Sequence, residues 1–552
     1  MREPLSIGKY LIGQLYDRGV RHVFGVPGDY ALRFFSQLEK SKLKVVNTCD
    51  EQGAGFAADA YARVKGLGVV CVTYCVGGLK VANTTAEAYA EKSPVVVISG
   101  APGTNERAKN PLLHHRVRDF DTQYKVFQEI TVASAVLNDP KTAFHEIDRV
   151  LAAALKFKRP VYIELPRDMA VLPGVVSLPD SKSNDNSDKN ALREALWEAS
   201  SMINAAKKPV ILAGVELHRF GLQKELLNFI ERTNIPVAVT PLSKSVITER
   251  HPRFLGVYEG AMGRPECRDY VESSDCLILL GAFMSDVDLG LYTAHIDEAK
   301  SISLTSERTT IGFHHYEGIT LADFIGGLIK ADIKRCEVLQ APHPEMPPPF
   351  TVKKGRKITV QTLFQQLNSF LDDDTVVIAD PGDAMFAGMD LFIHGQAEFL
   401  SPAYYTSMGF AVPAALGVQL AKPKLRPLVI VGDGAFQMTG IELSTIARFR
   451  LNPIVIVLNN RGYGTERPMQ DGSFNDLQVW EYSRLPQVLG AGLGFKVHTE
   501  DQLEKALKLS RKNKTSFSIL DISLDPRDAS PALKRFTSLL AKKVHGKISK
   551  RP

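Results

Sequence analysis

A chain of 552 residues is too long for one hydrophobic core, and its length sets an expectation of roughly three or four domains. Its 44% hydrophobic and 23% charged content are those of an ordinary globular protein, which excludes disordered and fibrous classes. The net charge of +6 is thin over this length, and no basic face interleaved with aromatics is evident, so no nucleic-acid partner is expected.

In chain order, residues 1–19 show helical periodicity through Ile7, Leu11 and Leu15, without the apolar run and cleavage site of a signal peptide. No run approaches the roughly 18 apolar residues of a membrane span, so no membrane partner and a cytoplasmic location are expected. Strands are predicted at 22–25, 69–74, 95–99 and 161–165, with helices at 53–65 and 142–156 between them. The polar segment 178–190 reads as a linker. A second unit follows, with strands near 209–213, 236–239 and 276–280, closing in the Pro-rich stretch 342–349. The third holds strands near 376–379, 427–431, 453–458 and 517–521, and the basic tail at 542–551 reads as a solvated end. The fold class is therefore α/β: three domains, 1–178, 190–340 and 357–552, each a parallel sheet flanked by helices. The six cysteines show no metal-finger spacing and read as reduced thiols, mostly buried.

The third unit is the most informative. An apolar run, 428–431, ends in Gly432-Asp433-Gly434, and a second ends in Asn459-Asn460-Arg461-Gly462. Glycine allows backbone amides to approach a diphosphate, and Asp433 and Asn460 offer hard oxygen ligands to Mg2+. Two such strand ends, joined by a crossover helix, fall at the carboxyl edge of a parallel sheet, where open α/β folds bind ligands. Alone, Gly-Asp-Gly is a common turn.

Other segments align with it: 25–30 (Gly-Val-Pro-Gly-Asp-Tyr), Asp50-Glu51-Gln52-Gly53, 57–63 (Ala-Ala-Asp-Ala-Tyr-Ala-Arg), 89–94 (Tyr-Ala-Glu-Lys-Ser-Pro), His114-His115 and Glu466. Together they resemble the thiamine-diphosphate-dependent 2-oxoacid decarboxylases, along essentially the whole chain, and look closest to the indolepyruvate and phenylpyruvate branch. The resemblance implies a pyrimidine-binding domain, a Rossmann-like central domain and a diphosphate-binding domain. It also implies a cofactor shared between two subunits, hence a homodimer at minimum and by analogy a homotetramer. The implied activity releases CO2 and an aldehyde from a small-molecule 2-oxoacid through an enamine. A carboligase resembling acetohydroxyacid synthase, or a non-catalytic cofactor-binding regulator, are the competing readings; the His pair and Glu466 argue against the first, and Glu51 beside the full Mg2+ set against the second.

By this resemblance Glu51 protonates the cofactor pyrimidine, a task suited to a carboxyl in an apolar pocket. On local sequence alone it reads as an exposed acid at a helix start. Asp50 departs from the His or Asn of many relatives and places a second carboxyl beside it. Asp29, His114, His115 and Glu466 match the proton-moving cluster, with one imidazole expected to face substrate and the other to hold structure. Asp433, Asn460 and the Gly462 carbonyl match the Mg2+ ligands. The Gly434 and Ala435 amides match the diphosphate cradle, Met408 the apolar wedge under the cofactor, and Thr406 a backbone carbonyl for its amino group. Thr73, Pro381, Phe386, Thr465 and Phe536 resemble pocket-lining positions. The loop 75–78 (Cys-Val-Gly-Gly) departs from the Gly-Val-Gly-Glu of many relatives.

Overall fold

The computed structural model describes residues 5–175, 186–337, 341–393 and 398–546. Most of the 178–190 segment and much of the tail at 542–551 lie outside them. Three sheets order these residues. The first holds β1 (His22–Gly25), β2 (Lys44–Asn47), β3 (Gly68–Val72), β4 (Val95–Ala101), β5 (Ala133–Val136) and β6 (Val161–Pro166), in spatial order 2-1-3-4-6-5 and parallel throughout.

The central sheet holds β7 (Pro209–Ala213), β8 (Val237–Val239), β9 (Phe254–Val257), β10 (Cys276–Leu280), β11 (Ser301–Leu304), β12 (Thr309–Ile311) and β13 (His314–Tyr316), in the order 13-12-11-10-7-8-9. Its last two strands turn back antiparallel. The third sheet, again parallel, holds β14 (Thr375–Ala379), β15 (Phe399–Leu400), β16 (Arg426–Gly432), β17 (Ile454–Asn459), β18 (Leu493–Val497) and β19 (Ser518–Ser523), in the order 15-14-16-17-19-18.

The strands predicted from apolar runs are central or near-central ones: β3, β4, β6, β7, β10 and β14 are buried at every position. A strand covered by helices on both faces needs apolar side chains in unbroken succession, which makes its sequence conspicuous. The strands that sequence reading missed lie mostly at sheet margins. β2 has one buried residue in four, and β13 has none. Such edges carry mixed polar sequences without a periodic signature.

The first and third sheets of one chain are joined by two helices. Glu51–Lys65 is Ala- and Gly-rich and packs against Ala411–Ala421, which is apolar almost all round. At their crossing Gly417 lies so close that a Cβ there would overlap the Ala57 carbonyl oxygen. A buried ion cluster seals this junction. The Arg63 guanidinium pairs with Asp59 (2.7 Å) and Glu91 (2.8 Å) and donates to the Ser401 carbonyl (3.3 Å). Glu91 in turn accepts the Tyr404 and Tyr405 N–H groups (2.9 Å each), just ahead of Thr406. A buried charge is tolerable only when paired and hydrogen-bonded in this way.

Candidate active site

β16 and β17 run side by side in register, with Gly432 opposite Leu458, so Asp433 and Asn460 emerge at one sheet edge. Asp433 opens the helix Asp433–Thr439 and is 2% exposed. Its Oδ1 accepts the Gly434 N–H (2.8 Å) and its Oδ2 the Gly462 N–H (3.1 Å). Burial pushes this carboxyl up to about 6, against the lowering effect of the backbone N–H groups that it accepts. Gly434 is closely covered, since a Cβ there would stand 2.6 Å from the Tyr463 ring. Arg461 takes a left-handed conformation (φ +64°) and its side chain is exposed. A buried carboxylate, an amide and a backbone carbonyl form an all-oxygen donor set that fits Mg2+, beside a helix start that fits a diphosphate.

Asp380, just beyond β14, is a feature that sequence reading missed. It is fully buried, and its two oxygens accept the N–H groups of Gly409 (2.9 Å) and Ala411 (2.8 Å). It thereby fixes the turn carrying Thr406 (φ +57°) and the half-buried Met408. Burial raises the carboxyl to about 7, although the two N–H groups work against the rise. An unfolded chain releases the same proton near 4, so the folded state binds more protons between those values, and stability falls as pH rises across them. Asp380→Asn should remove this pH dependence. Relative to the parent, the variant is expected to gain up to about 4 kcal/mol between pH 4 and 8, read from paired denaturation curves.

A cavity of about 480 Å³ opens from this edge. It brings together Pro381, Phe386, Thr406, Met408, Asp433, Gly434, Ala435, Asn460, Gly462, Thr465, Glu466 and Phe536. The Phe386 and Phe536 rings stack at 4.6 Å, and Glu466 is exposed to the opening. Met469, Leu533, Asp383 and Asp528 also line it and were missed. Burial raises the Asp383 carboxyl to about 6, and it accepts the Ser530 N–H (2.9 Å) at the start of the helix Pro531–Gly546, which carries Phe536. Nothing local in the sequence joins residues so far apart.

The remaining predicted residues gather elsewhere, on the first domain. Glu51 is the first residue of its helix, half-buried, and Asp50 is the N-cap, accepting the Gln52 N–H (2.8 Å). The ammonium of Lys80 bridges Asp50 and Glu51 (2.7 Å to Glu51), so the second carboxyl is engaged rather than free. Glu442 of the third domain reaches across to accept the N–H groups of Cys49 (3.0 Å) and Asp50 (3.1 Å), pinning the turn that presents Glu51. The Thr73 hydroxyl is buried without a hydrogen-bond partner among the described residues. His114 meets Asp29 through Nε2 (2.9 Å), while the His115 ring stands 77° to it at 4.7 Å. All three side chains are exposed, with ligating atoms within 4.8 Å of one another. None of Glu51, Thr73, Asp29, His114 and His115 lines the Asp433 cavity of its own chain.

The chain matches the thiamine pyrophosphate enzyme N-terminal TPP binding domain over residues 5–126, the central domain over 196–331 and the C-terminal TPP binding domain over 381–522. It is 37% identical over 538 residues to indole-3-pyruvate decarboxylase of Azospirillum brasilense, covering 96% of this chain and 98% of that one. It is 33% identical over 554 residues to pyruvate decarboxylase 1 of Pisum sativum, covering 97% and 93%. Pyruvate decarboxylase of Neurospora crassa is 32% identical over 541 residues, with 96% and 95% covered. On these matches the chain belongs to the thiamine-diphosphate-dependent 2-oxoacid decarboxylase family, whose enzymes use that cofactor with Mg2+.

Proposed function

We propose that this enzyme releases CO2 and an aldehyde from 2-oxoacids with aromatic or medium-chain aliphatic side chains, in preference to pyruvate. The observation that carries this reading is the cavity wall. Stacked Phe386 and Phe536, with the small Thr465 and the flexible Met469, leave room for a side chain well beyond a methyl group. The name of the Azospirillum relative points the same way, and those of the plant and fungal relatives point to pyruvate.

In this reading Asp433, Asn460 and the Gly462 carbonyl hold Mg2+, and the Gly434 and Ala435 amides face the diphosphate. Met408 would support the cofactor, and the Thr406 carbonyl would accept a hydrogen bond from its amino group. The bound cofactor supplies the electron sink that lets the carboxylate carbon depart. Glu51 holds a proton at the pyrimidine N1′. Asp29, His114 and His115, with Glu466, deliver a proton to the carbon that CO2 leaves and take one from the hydroxyl as the aldehyde forms. The Glu51 group and the Asp433 group lie in separate places on one chain, so a complete site takes one group from each of two chains. The assembly is a homodimer at least, and we favour a dimer of dimers.

A substrate panel coupled to alcohol dehydrogenase tests the substrate class. Phenylpyruvate, indolepyruvate and straight-chain oxoacids should each exceed pyruvate in kcat/KM by about tenfold or more, since every buried methylene adds about 1 kcal/mol. A kcat/KM for pyruvate above all of them would overturn the reading. Acyloin in place of aldehyde from a single oxoacid would favour a carboligase. Chelation of Mg2+ should abolish turnover and its re-addition restore it.

A further inference from the structure

Beneath the first-domain half of the site runs a buried chain of hydrogen bonds that none of the assigned roles uses. Gln123, on the helix Thr122–Glu129, is fully buried, with both ends of its amide hydrogen-bonded. Its Oε1 accepts the Cys75 N–H (2.6 Å), and its Nε2 donates to the hydroxyls of Ser99 (2.8 Å) and Tyr162 (2.5 Å). The Tyr162 hydroxyl donates to Glu164 (3.0 Å), whose other oxygen accepts from Arg107 (2.7 Å). Ser99 lies on β4, and Tyr162 and Glu164 on β6, so the amide is anchored to the rigid middle of the sheet.

The turn that Gln123 holds is the one that departs from the family pattern. Cys75 sits in a left-handed conformation (φ +48°), which a non-glycine residue adopts only when its surroundings impose it. Gly78 closes the turn by donating to the Thr73 carbonyl (3.0 Å). A Cβ on Gly78 would overlap Gln123 Oε1, although its own backbone (φ −58°, ψ −47°) suits any residue. Between them lies Gly77, where a Cβ would stand 3.2 Å from Glu51 Oε1 and 3.1 Å from the Thr73 nitrogen. The turn is thus the wall against which the Glu51 carboxyl rests, and Gln123 grips it on both sides of Gly77.

We propose that Gln123 is a positioning residue for Glu51: through Cys75 and Gly78 it sets the turn that holds the Glu51 carboxyl in its working orientation. The proposal rests on the role of Glu51 given above. Its signature is a loss of proton transfer at the cofactor with cofactor binding retained, because the Mg2+ and diphosphate groups lie on a different domain.

Gln123→Met keeps the volume and removes every hydrogen bond, leaving the Cys75 N–H unpaired. The rate at which the cofactor C2 proton exchanges with solvent, read by quenched-flow NMR, should fall about tenfold together with kcat. Cofactor Kd, from fluorescence quenching, should stay within about threefold. Leu328→Ala, a core truncation in the central domain, serves as the control for lost stability and should leave the exchange rate unchanged. Should Gln123→Met not fold, Gly78→Ala decides. It should slow exchange in the parent, where the new methyl displaces the amide, and have no further effect in a Gln123→Ala background, where there is room. An exchange rate within about twofold of the parent in Gln123→Met, or an equal effect of Gly78→Ala in both backgrounds, would overturn the proposal. Glu51→Gln in the same assay separates the two readings. If the parent exchanges no faster than Glu51→Gln, the role of Glu51 fails. If the parent is fast and the position 78 and 123 variants match it, only the role of Gln123 fails.

Discussion

Glu51→Gln should lower kcat by about 10²- to 10⁴-fold at saturating thiamine diphosphate and Mg2+, the range typical of losing a general acid or base. Gln keeps the size and polarity of the side chain but cannot lend a proton to a ring nitrogen and take it back. The substitution should hardly touch the fold. Residue 51 sits at a helix N-terminus, where loss of one half-buried negative charge removes about 0.5 kcal/mol of interaction with the helix dipole. Lys80 retains Asp50 as a partner, and the preceding turn stays pinned by Glu442. Stopped-flow or coupled kinetics, with thermal unfolding as the control, provide the measurement. A kcat within tenfold of the parent would remove Glu51 from the chemistry.

The second large effect is one of complementation. Asp433→Ala deletes the buried carboxylate from the oxygen donor set and should leave no measurable turnover, as Glu51→Gln nearly does. Co-expressed in equal amounts, the two inactive chains should recover about a quarter of the parent activity. With random pairing, one site in four draws its Glu51 from an Asp433→Ala chain and its Asp433 from a Glu51→Gln chain. The expectation follows from the placement of Glu51 outside the Asp433 cavity of its own chain. Activity no higher than the mean of the Glu51→Gln and Asp433→Ala chains expressed singly, in a preparation shown by mass tags to contain mixed oligomers, would mean that both residues serve one site within one chain.

Sequence legibility followed the locality of the signal. Asp433 and Asn460 were readable because each stands between an apolar run and a glycine, so a few neighbouring residues report both the strand end and the close backbone approach. Glu51 was readable only as part of a constellation; its position as the first acid of a helix is also where an ordinary exposed carboxylate would stand. The supporting carboxyls were not readable at all. Glu442 binds the backbone of residues 49 and 50, nearly four hundred positions earlier, and Asp380 binds the N–H groups of 409 and 411. A main-chain donor looks the same whatever residue carries it, so these bonds leave no complementary pattern in the sequence. The cavity wall contributed by Leu533 and Met469 was missed for a related reason, because single apolar residues on a helix or loop look like any other core side chain.

The crossing of Gly417 over Ala57 has a consequence for the spacing of the two groups. Two helices whose main chains touch, locked further by the Arg63 cluster, cannot slide without a collision, so the first and third domains of a subunit behave as a single casting. In the proposed dimer, each chain would then offer the Glu51 group and the Asp433 group at a constant spacing.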